Sequence, residues 1–338
     1  MKSIFLIRNG AAETAFEIKE SKIPECGEEE VQIKVEAFGL NFADVMCRLG
    51  HYRDCPKLPC VIGYEVTGRI EAVGKNVQHL QTGERVAALI RFGGYAEFAL
   101  ADSRAVMKIP DSIPAWQALA LSTQYCTAYY CAEELVRLHL GDQVLIHAAA
   151  GGVGLALVQI ALMRECTVFA TAGSEEKISY LKSIGVQHAI NYREKDFANE
   201  IKQLAGGKKL DVIFDSVGGP SVKKGYKLLA AGGRIVVYGA AELSQGNIFS
   251  RWKKMLAFGL YHPGLMAMQS KSILGAYMLP LATQRPEVLQ RVMQSVMKLH
   301  SEGKLVPLAG KTFPVSELAT AHRLLEERKT IGKVAIAW

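Results

Sequence analysis

The spacing of hydrophobic and polar positions changes along the chain. Residues 1 to about 122 contain short runs rich in β-branched and aromatic side chains, separated by Gly, Pro, Asn and Asp. Residues 29–37 alternate polar and apolar side chains, which is typical of a strand with one face in water. We therefore predict a β-rich domain in this first region.

From residue 142 onward, strand-like runs alternate with helix-like runs. The predicted strands are Val144–Ala148, Thr167–Thr171, His188–Asn191, Val212–Asp215 and Arg234–Gly239. The helices predicted between them are Val153–Met163, Glu175–Ile184, Asp196–Leu204 and Ser221–Leu229. This alternation is typical of a doubly wound parallel sheet with right-handed crossovers. We predict an α/β protein in which residues 123–268 form that sheet, while residues 1–122 and 269–338 form the other domain.

A turn of small residues joins the first of these strands to its helix. The pattern reads Ala149-x-Gly151-x-x-Gly154, one small residue away from the dinucleotide-binding fingerprint G-x-G-x-x-G. Gly151 lets the backbone approach a pyrophosphate, Gly154 lets the helix pack close to the strand, and the helix N-terminus faces the phosphates. The predicted cofactor contacts in this turn are Ala150, Gly151, Gly152 and Val153.

The end of the next strand indicates which nicotinamide cofactor the site prefers. NAD-binding units usually place Asp or Glu there to hold the ribose 2′-hydroxyl. This chain instead has Gly173 and Ser174, with Lys177 one helical turn further on and Tyr192 after the third strand. Hydroxyl groups and a cation favour binding of the 2′-phosphate of NADPH. The two glutamates at the start of the helix disfavour it, because their charge repels a phosphate. We predict NADPH; a solvated Lys177 is the alternative.

Composition and charge are ordinary for a soluble globular protein, with 49% hydrophobic and 22% charged residues among 338. Lys and Arg number 40 against 33 Asp and Glu, giving a net charge of +7, but the cations are scattered and no run reaches five. Nucleic-acid or membrane binding is therefore not favoured. The apolar run at the N-terminus is too short, and charged residues follow it too soon, for a signal peptide. The longest apolar stretches are too short or are interrupted, so they are not expected to cross a bilayer. We therefore predict a cytoplasmic protein.

The cysteines point away from both disulfides and a structural zinc site. There are seven, an odd number, and no two form a C-x-x-C pair. Neither a disulfide framework nor a zinc ribbon is indicated. We predict reduced, mostly buried thiols.

These features together resemble the zinc-independent quinone oxidoreductases of the medium-chain dehydrogenase/reductase superfamily, the zeta-crystallin-like group. The motifs that carry the resemblance run along the whole chain: Gly39–Asp44, Gly63–Gly68, Thr127–Tyr130, Ala149–Gly154, Gly218–Gly219 and Val237–Gly239. Three features resemble the vesicle amine transport protein-like subgroup most: Leu40–Asp44, Lys224–Tyr226 with its downstream glycines, and the Gly332–Val334 ending.

The resemblance implies a GroES-like domain, a Rossmann domain and reduction of a quinone or an α,β-unsaturated carbonyl. It also implies a homodimer in which the strand near Ser272–Tyr277 extends the Rossmann sheet into the partner. Zinc-dependent members carry Cys and His at the positions of Asn41 and Tyr64, and this chain lacks both, so no metal is expected. Without a Lewis acid, reduction of an electron-poor acceptor is favoured over alcohol oxidation.

Asn41, Tyr52 and Tyr64 are the predicted catalytic residues. Asn41 is the best polar candidate to orient the substrate or the nicotinamide ribose, and a turn-stabilising side chain is the alternative. Tyr52 and Tyr64 are candidate donors to the carbonyl oxygen, but each could equally be a half-buried packing residue. Asp44 is expected to cap a short helix or to pair with an Arg rather than to act as a base.

Further cofactor contacts are predicted outside the fingerprint. The Thr127 hydroxyl could meet the cofactor or form the N-cap of its helix, and Lys333 could reach the cofactor or be a surface lysine. The remaining contacts follow the later strands, where open sheets bind ligands. They are Val217, Tyr238, Gly239 and Ala240.

The segment Asn247–Met268 combines basic and aromatic residues. We expect a substrate lid or pocket wall, with a membrane or partner surface as the alternative, because Pro263 interrupts it. Three kinds of function remain open from the sequence. They are an NADPH-dependent quinone or enone reductase, which is favoured, an NADPH-binding regulatory protein with little turnover, and a protein that associates with nucleic acid or membranes.

Overall fold

The computed structural model describes residues 1–244, 246 and 248–338, except the side chains of Ile248 and Arg251. The chain divides into two compact units: unit 1 comprises Met1–Cys126 and Met278–Trp338, and unit 2 comprises Thr127–Tyr277. Asn247, the first residue of the predicted lid segment, lies outside the described residues.

The strands are β1 (Lys2–Leu6), β2 (Phe16–Glu20), β3 (Glu30–Leu40), β4 (Cys60–Val61), β5 (Glu65–Val73), β6 (Arg85–Leu89), β7 (Phe98–Asp102), β8 (Val106–Lys108), β9 (Gln143–Ile146), β10 (Thr167–Ala172), β11 (His188–Asn191), β12 (Leu210–Asp215), β13 (Leu229–Val237), β14 (Ser272–Gly275), β15 (Gly310–Pro314) and β16 (Lys333–Ala337).

The α-helices are α1 (Ala12–Ala15), α2 (Phe42–Arg48), α3 (Ala115–Leu119), α4 (Cys126–Tyr129), α5 (Gly152–Met163), α6 (Glu175–Ser183), α7 (Phe197–Leu204), α8 (Pro220–Leu228), α9 (Ile248–Leu256), α10 (Pro263–Gln269), α11 (Met278–Gln284), α12 (Pro286–Ser301) and α13 (Leu318–Glu326). Ala120–Tyr125 and Tyr130–Leu135 are π-helical.

Unit 1 is built on a mostly antiparallel sheet in the order β15-β16-β3-β5-β6-β8, with β7 paired to β3. The central strand β3 alternates buried and less buried side chains over its first half, as the polar–apolar pattern predicts, and is buried throughout from Ala37 to Leu40. The C-terminal strand β16 pairs with β3, Val334 opposite Leu40, and thereby returns the end of the chain to the first domain. A small sheet in the order β2-β1-β4 completes the unit.

Unit 2 contains a parallel sheet in the order β11-β10-β9-β12-β13-β14 among the described residues. The order reverses between β9 and β12, which is the switch point where doubly wound sheets bind ligands. Every residue of β9 is buried, because helices cover both faces of such a sheet. The predicted doubly wound architecture is confirmed.

Two details differ from the sequence expectation. Residues 269–277, assigned above to the first domain, lie in unit 2, because β14 pairs with β13 and continues the parallel sheet. Thr127 lies inside the helical run that starts at Ala115, so the predicted N-cap role for it is wrong. In the described part of the chain, we find no helix long and apolar enough to span a bilayer.

Candidate cofactor and substrate site

The fingerprint turn in unit 2 has the geometry that its glycines predict. Gly151 is the N-cap of α5 and no side chain caps the helix, so no side chain competes with a phosphate for the first N–H groups. A Cβ on Gly154 would lie 2.5 Å from the carbonyl oxygen of Ala148 and 2.7 Å from the Cα of Ala149. Only glycine therefore lets α5 approach the end of β9 this closely.

The predicted 2′-phosphate residues lie together at the carboxyl ends of β10 and β11. Ser174 caps α6, its hydroxyl accepting the N–H of Lys177 at 3.4 Å. A Cβ on Gly173 would lie 2.7 Å from the hydroxyl of Tyr192, which places that hydroxyl directly over the Gly173 backbone. The Asn191 amide donates to one of the opening glutamates, Glu175, at 3.0 Å. The hydroxyls of Ser174 and Tyr192 thus lie at one edge of the sheet, with Lys177 in the first turn of α6, and a 2′-phosphate contact by all three stays a prediction.

A carboxylate that the sequence interpretation missed shapes the loop after β12. Asp215 is fully buried and accepts the backbone N–H of Val217 at 2.7 Å, the N–H of Gly218 at 2.8 Å and the hydroxyl of Ser221 at 2.6 Å. These bonds fix the turn that carries Val217. The available signal was an Asp at the end of a predicted strand, three residues before the Gly218-Gly219 pair.

The loop after β13 lies against the loop after β12. A Cβ on Gly239 would lie 2.8 Å from the carbonyl oxygen of Ser216, and one on Gly218 would lie 3.2 Å from the Cα of Ala240. Tyr238 donates its N–H to the Asp215 carbonyl at 3.0 Å. The predicted contacts Tyr238, Gly239 and Ala240 therefore share the ligand edge of the sheet with the fingerprint turn.

His147, which directly follows β9, is a second buried polar residue that the sequence interpretation passed over. Its Nδ1 is hydrogen-bonded to the Thr171 hydroxyl at 3.0 Å and its ring meets Phe197 edge-on. Burial lowers the pKa of His147, although the charge of Asp215 acts in the opposite direction. A neutral imidazole that joins the end of β9 to β10 has a structural role next to the fingerprint turn.

In unit 1, Asn41 follows β3 and forms the N-cap of α2. Asp44 accepts the backbone N–H of Asn41 through Oδ2 at 2.7 Å, so the expected capping role of Asp44 is observed. Burial and the neighbouring charge of Glu65 raise the pKa of Asp44 well above its usual range. The other carboxyl oxygen, Oδ1, has no hydrogen-bond partner among the described residues.

The Asn41 side chain is held by a buried ion pair. Glu65 and Lys333 are in direct contact, and both side chains are fully buried. The Asn41 Nδ2 donates to Glu65 Oε2 at 2.6 Å, and the Lys333 ammonium donates to Asn41 Oδ1 at 3.3 Å and to the Leu40 carbonyl at 3.4 Å. Lys333 is therefore not a surface lysine, and direct contact with the cofactor stays a prediction.

The two tyrosines differ in their surroundings. Tyr64 is 5% exposed, belongs to the hydrophobic core of unit 1, and its hydroxyl is 3.4 Å from the Cys47 thiol. Burial raises the pKa of Tyr64 far above its usual value. Tyr52 is half-buried and meets the Tyr64 ring edge-on at 5.9 Å. The structure thus favours the packing role for Tyr64, and a donor role for either residue stays a prediction.

The residues at the zinc-ligand positions do not fit that metal. Asn41 presents an amide already engaged by Glu65 and Lys333, and Tyr64 presents a neutral phenol against Cys47. Zinc prefers thiolate, imidazole and carboxylate ligands. Within the described residues, no cluster of three or more His, Cys, Asp or Glu side chains could hold a metal ion.

The segment predicted as a lid forms α9 and α10. Phe258 packs against the backbone of Gly218, and the Tyr261 ring packs against the Tyr226 ring, tilted by 54° with ring centroids 5.0 Å apart. Large apolar side chains elsewhere on the segment are mostly exposed. They are Phe249, Trp252, Met255, Leu256, Leu260, Leu265 and Met268.

Two known domain families match the sequence of this chain, one within unit 1 and one mainly in unit 2. Residues 27–111 match the alcohol dehydrogenase GroES-like domain, and residues 152–295 match the zinc-binding dehydrogenase domain. The chain belongs to the medium-chain dehydrogenase/reductase superfamily and is an oxidoreductase of that superfamily. It fits the zeta-crystallin-like group to which the sequence motifs pointed.

Individual relatives refine the placement. The chain is 33% identical over 331 residues to the synaptic vesicle membrane protein VAT-1 homolog of Danio rerio, covering 97% of this chain and 68% of that protein. The Escherichia coli quinone oxidoreductase solved with NADPH is 27% identical and superposes with a TM-score of 0.87 over 100% of both chains. The CurK enoyl reductase is 29% identical with a TM-score of 0.85, covering 99% of this chain and 98% of that one. The prediction of NADPH as the cofactor is confirmed.

Proposed function

We propose that the protein reduces quinones or α,β-unsaturated carbonyls with NADPH, by hydride transfer and without zinc. The observation that carries the proposal is Asn41, an amide held by a buried ion pair at the position where zinc-dependent members have a cysteine ligand. An amide cannot act as a Lewis acid, but its N–H can donate to a developing negative charge on oxygen.

The cofactor supplies a hydride from the nicotinamide ring. The chain's own residues bind the cofactor and orient the acceptor or the nicotinamide ribose. In unit 2 the uncapped N-terminus of α5 receives the pyrophosphate, and Ser174, Lys177 and Tyr192 receive the 2′-phosphate. In unit 1 Asn41 orients the carbonyl of the acceptor or the nicotinamide ribose. A quinone or enone needs no metal, because conjugation already stabilises the electron pair that arrives with the hydride.

Both acceptor classes have support among the relatives. A quinone oxidoreductase and an enoyl reductase superpose on this chain over nearly its full length. Their names describe two substrates that share one chemical feature, a carbonyl conjugated to a carbon–carbon double bond. We therefore assign the conjugated carbonyl as the substrate class.

The chain is also proposed to form a homodimer through the edge of the unit 2 sheet. Strand β14 pairs on one side with β13 and is the last strand of the sheet in the part of the chain that the structure describes. An unpaired strand edge is a template for another strand. Light scattering should give about twice the 36.9 kDa chain mass; a monomer at micromolar concentration would remove this proposal. We also propose that the protein is located in the cytoplasm.

The test of the proposed reaction is oxidation of NADPH and NADH by chelator-treated protein with a panel of quinones and enones. We expect turnover that prefers NADPH, is unchanged by added zinc, and falls about 10²- to 10³-fold in Asn41→Ala, the loss typical of one hydrogen-bond donor to an oxyanion. Tight NADPH binding without reduction of any acceptor would refute the reductase proposal while leaving the cofactor site intact.

A binding function is the second candidate, favoured by the exposed apolar side chains of α9 and α10. Trp252 and Leu256 are exposed on α9, which also carries Lys253, and Leu260 is exposed in the segment after it. Exposed apolar and basic residues are combined in this way on helices that rest on anionic membranes. A lid role for the same segment predicts instead that its variants change the Michaelis constant of the acceptor. Sedimentation with phosphatidylserine vesicles separates the two, because only the binding function makes Trp252→Ser lower vesicle binding at unchanged turnover.

A further inference from the structure

Three adjacent strands bring Asn41, Glu65 and Lys333 together although they are far apart in sequence. Asn41 follows the end of β3, Glu65 opens β5 and Lys333 opens β16, and these strands are neighbours in the order β16-β3-β5. Gly39 leaves room for the pair, because a Cβ there would overlap the Glu65 carboxylate and lie 2.6 Å from the Lys333 ammonium.

The amide of Asn41 meets a negative group on its nitrogen and a positive group on its oxygen. Rotating the amide by half a turn would place Nδ2 against the ammonium of Lys333 and Oδ1 against the carboxylate of Glu65. Both contacts would then be repulsive. The charges of the pair, and not merely its hydrogen-bonding capacity, therefore select one orientation of the side chain.

We propose that Glu65 and Lys333 are positioning residues whose ion pair fixes the Asn41 amide in one orientation, with one N–H left for the substrate. An amide nitrogen carries two donors, and only one is used by Glu65 among the described contacts. Asn41 is half-buried, whereas both members of the pair are fully buried. The pair acts through Asn41, and this role rests on the proposed reduction.

Stability alone does not account for such a pair. Removing two charges from water is costly, and buried ion pairs are often no better for stability than apolar residues of the same shape. The best-attested use of a buried pair is to select one arrangement over another. Here the arrangement selected is the side-chain orientation of the residue to which we assign the substrate contact.

The test uses Glu65→Gln combined with Lys333→Met, since Lys333→Met alone leaves an unpaired buried carboxylate and could prevent folding. In the double variant the introduced glutamine amide and the Asn41 amide can exchange hydrogen bonds in either of two orientations, so the Asn41 side chain is no longer fixed. Glu36→Gln is the matched control, because it breaks the Arg85–Glu36 ion pair of the same unit without touching Asn41.

We expect the double variant to lose about tenfold in kcat with NADPH affinity unchanged, while Glu36→Gln keeps the wild-type kcat. When the two substitutions are added to Asn41→Ala, kcat should not fall further, because no Asn41 side chain remains to be oriented. A further loss of about tenfold in that background would mean that the pair acts on the structure in general, and would overturn the proposal.

A second readout does not depend on turnover. In protein labelled with ¹⁵N-asparagine, the Asn41 side-chain amide is assigned by its absence in Asn41→Ala. We expect one of its two protons to be shifted downfield and protected from exchange in the wild type, and both features to be lost in the double variant. Unchanged amide resonances in the double variant would overturn the positioning role. A wild type that reduces no acceptor but shows these resonance changes would refute the reaction and keep the orientation of Asn41.

Discussion

The close approach of α5 to β9 makes Gly154→Ala the most informative single substitution in unit 2. The added Cβ would meet three backbone atoms, the Ala148 carbonyl oxygen at 2.5 Å and the Ala149 Cα and oxygen at 2.7 Å. Ordinary contact begins near 3.4 Å, so the helix and the turn must separate by roughly 0.7–0.9 Å. Backbone atoms cannot rotate aside as a side-chain end can.

The expected magnitude follows from two opposing effects. Overpacking of this kind costs about 2–3 kcal/mol, near the upper end of the usual range. Alanine in a helix contributes up to about 1 kcal/mol relative to glycine. We therefore expect a net loss of about 1–2 kcal/mol in the free energy of unfolding, which is a fall of about 3–6 °C in the melting temperature. Displacement of the helix N-terminus should also weaken NADPH binding about tenfold.

Gly225→Ala in α8 is the control for this substitution. The atom closest to its Cβ would be the Cδ1 of Ile213 at 3.1 Å, which is the flexible end of a side chain, and the next would be the Cδ1 of Ile235 at 3.7 Å, an ordinary contact. The gain in helix propensity is retained. Thermal unfolding by circular dichroism and NADPH titration by fluorescence are measured on both variants. Equal melting temperatures and equal NADPH affinities for the two would refute the close-packing argument.

Three further predictions follow from single side chains. Lys177→Ala should raise the dissociation constant of NADPH about tenfold and leave that of NADH unchanged, since one charge-assisted contact to phosphate is lost; Lys182→Ala on the same helix is the control, and equal effects on both coenzymes would contradict the assignment. Burial, helped by the charge of Arg48, lowers the pKa of His322 to about 3 from an ordinary value near 6.5. The unfolded chain then binds the extra proton, so stability is complete above pH 6.5 and falls by about 1.4 kcal/mol per pH unit below it. Denaturant titrations of His322→Gln should lack this slope. If the free energy of unfolding falls equally below pH 6.5 in the variant and the wild type, His322 is not its cause. Tyr64→Phe should keep turnover, because its hydroxyl lies against a thiol in the core; a loss of about tenfold would show that the hydroxyl reaches the substrate.

The sequence was sufficient for the parallel sheet, because each of its strands is an apolar run followed by a helix with its own signals. It was insufficient for β2, whose residues Phe16–Glu20 are almost all exposed and therefore carry no burial pattern. The predicted domain bounds leave residues 269–277 out of unit 2, although the resemblance implies that the strand near Ser272–Tyr277 belongs to its sheet, because β14 is short and has no buried side chain that would mark it as a sheet strand.

Candidate cofactor residues are easier to recognise in the sequence than candidate substrate residues for a physical reason. The fingerprint turn and the phosphate-facing helix end are local features, so their residues are close in sequence. The partners of Asn41 are brought together only by strand pairing, with Glu65 and Lys333 separated by 268 positions. Nothing in the residues around Lys333 indicates a buried ammonium, and for that reason Lys333 was assigned to the cofactor or to the surface.

The same separation has a consequence for how the protein is made. Unit 2 is one continuous stretch, Thr127–Tyr277, whereas unit 1 takes its last strand from the end of the chain. During synthesis, unit 2 can therefore fold while Glu65 still lacks its counter-ion. A ribosome adding about 5–20 residues per second leaves that carboxylate unpaired for on the order of ten seconds or more, during which it must stay hydrated. Completion of unit 1 is thus tied to the arrival of Lys333, a residue that orients the proposed substrate contact and is translated 268 positions after Glu65.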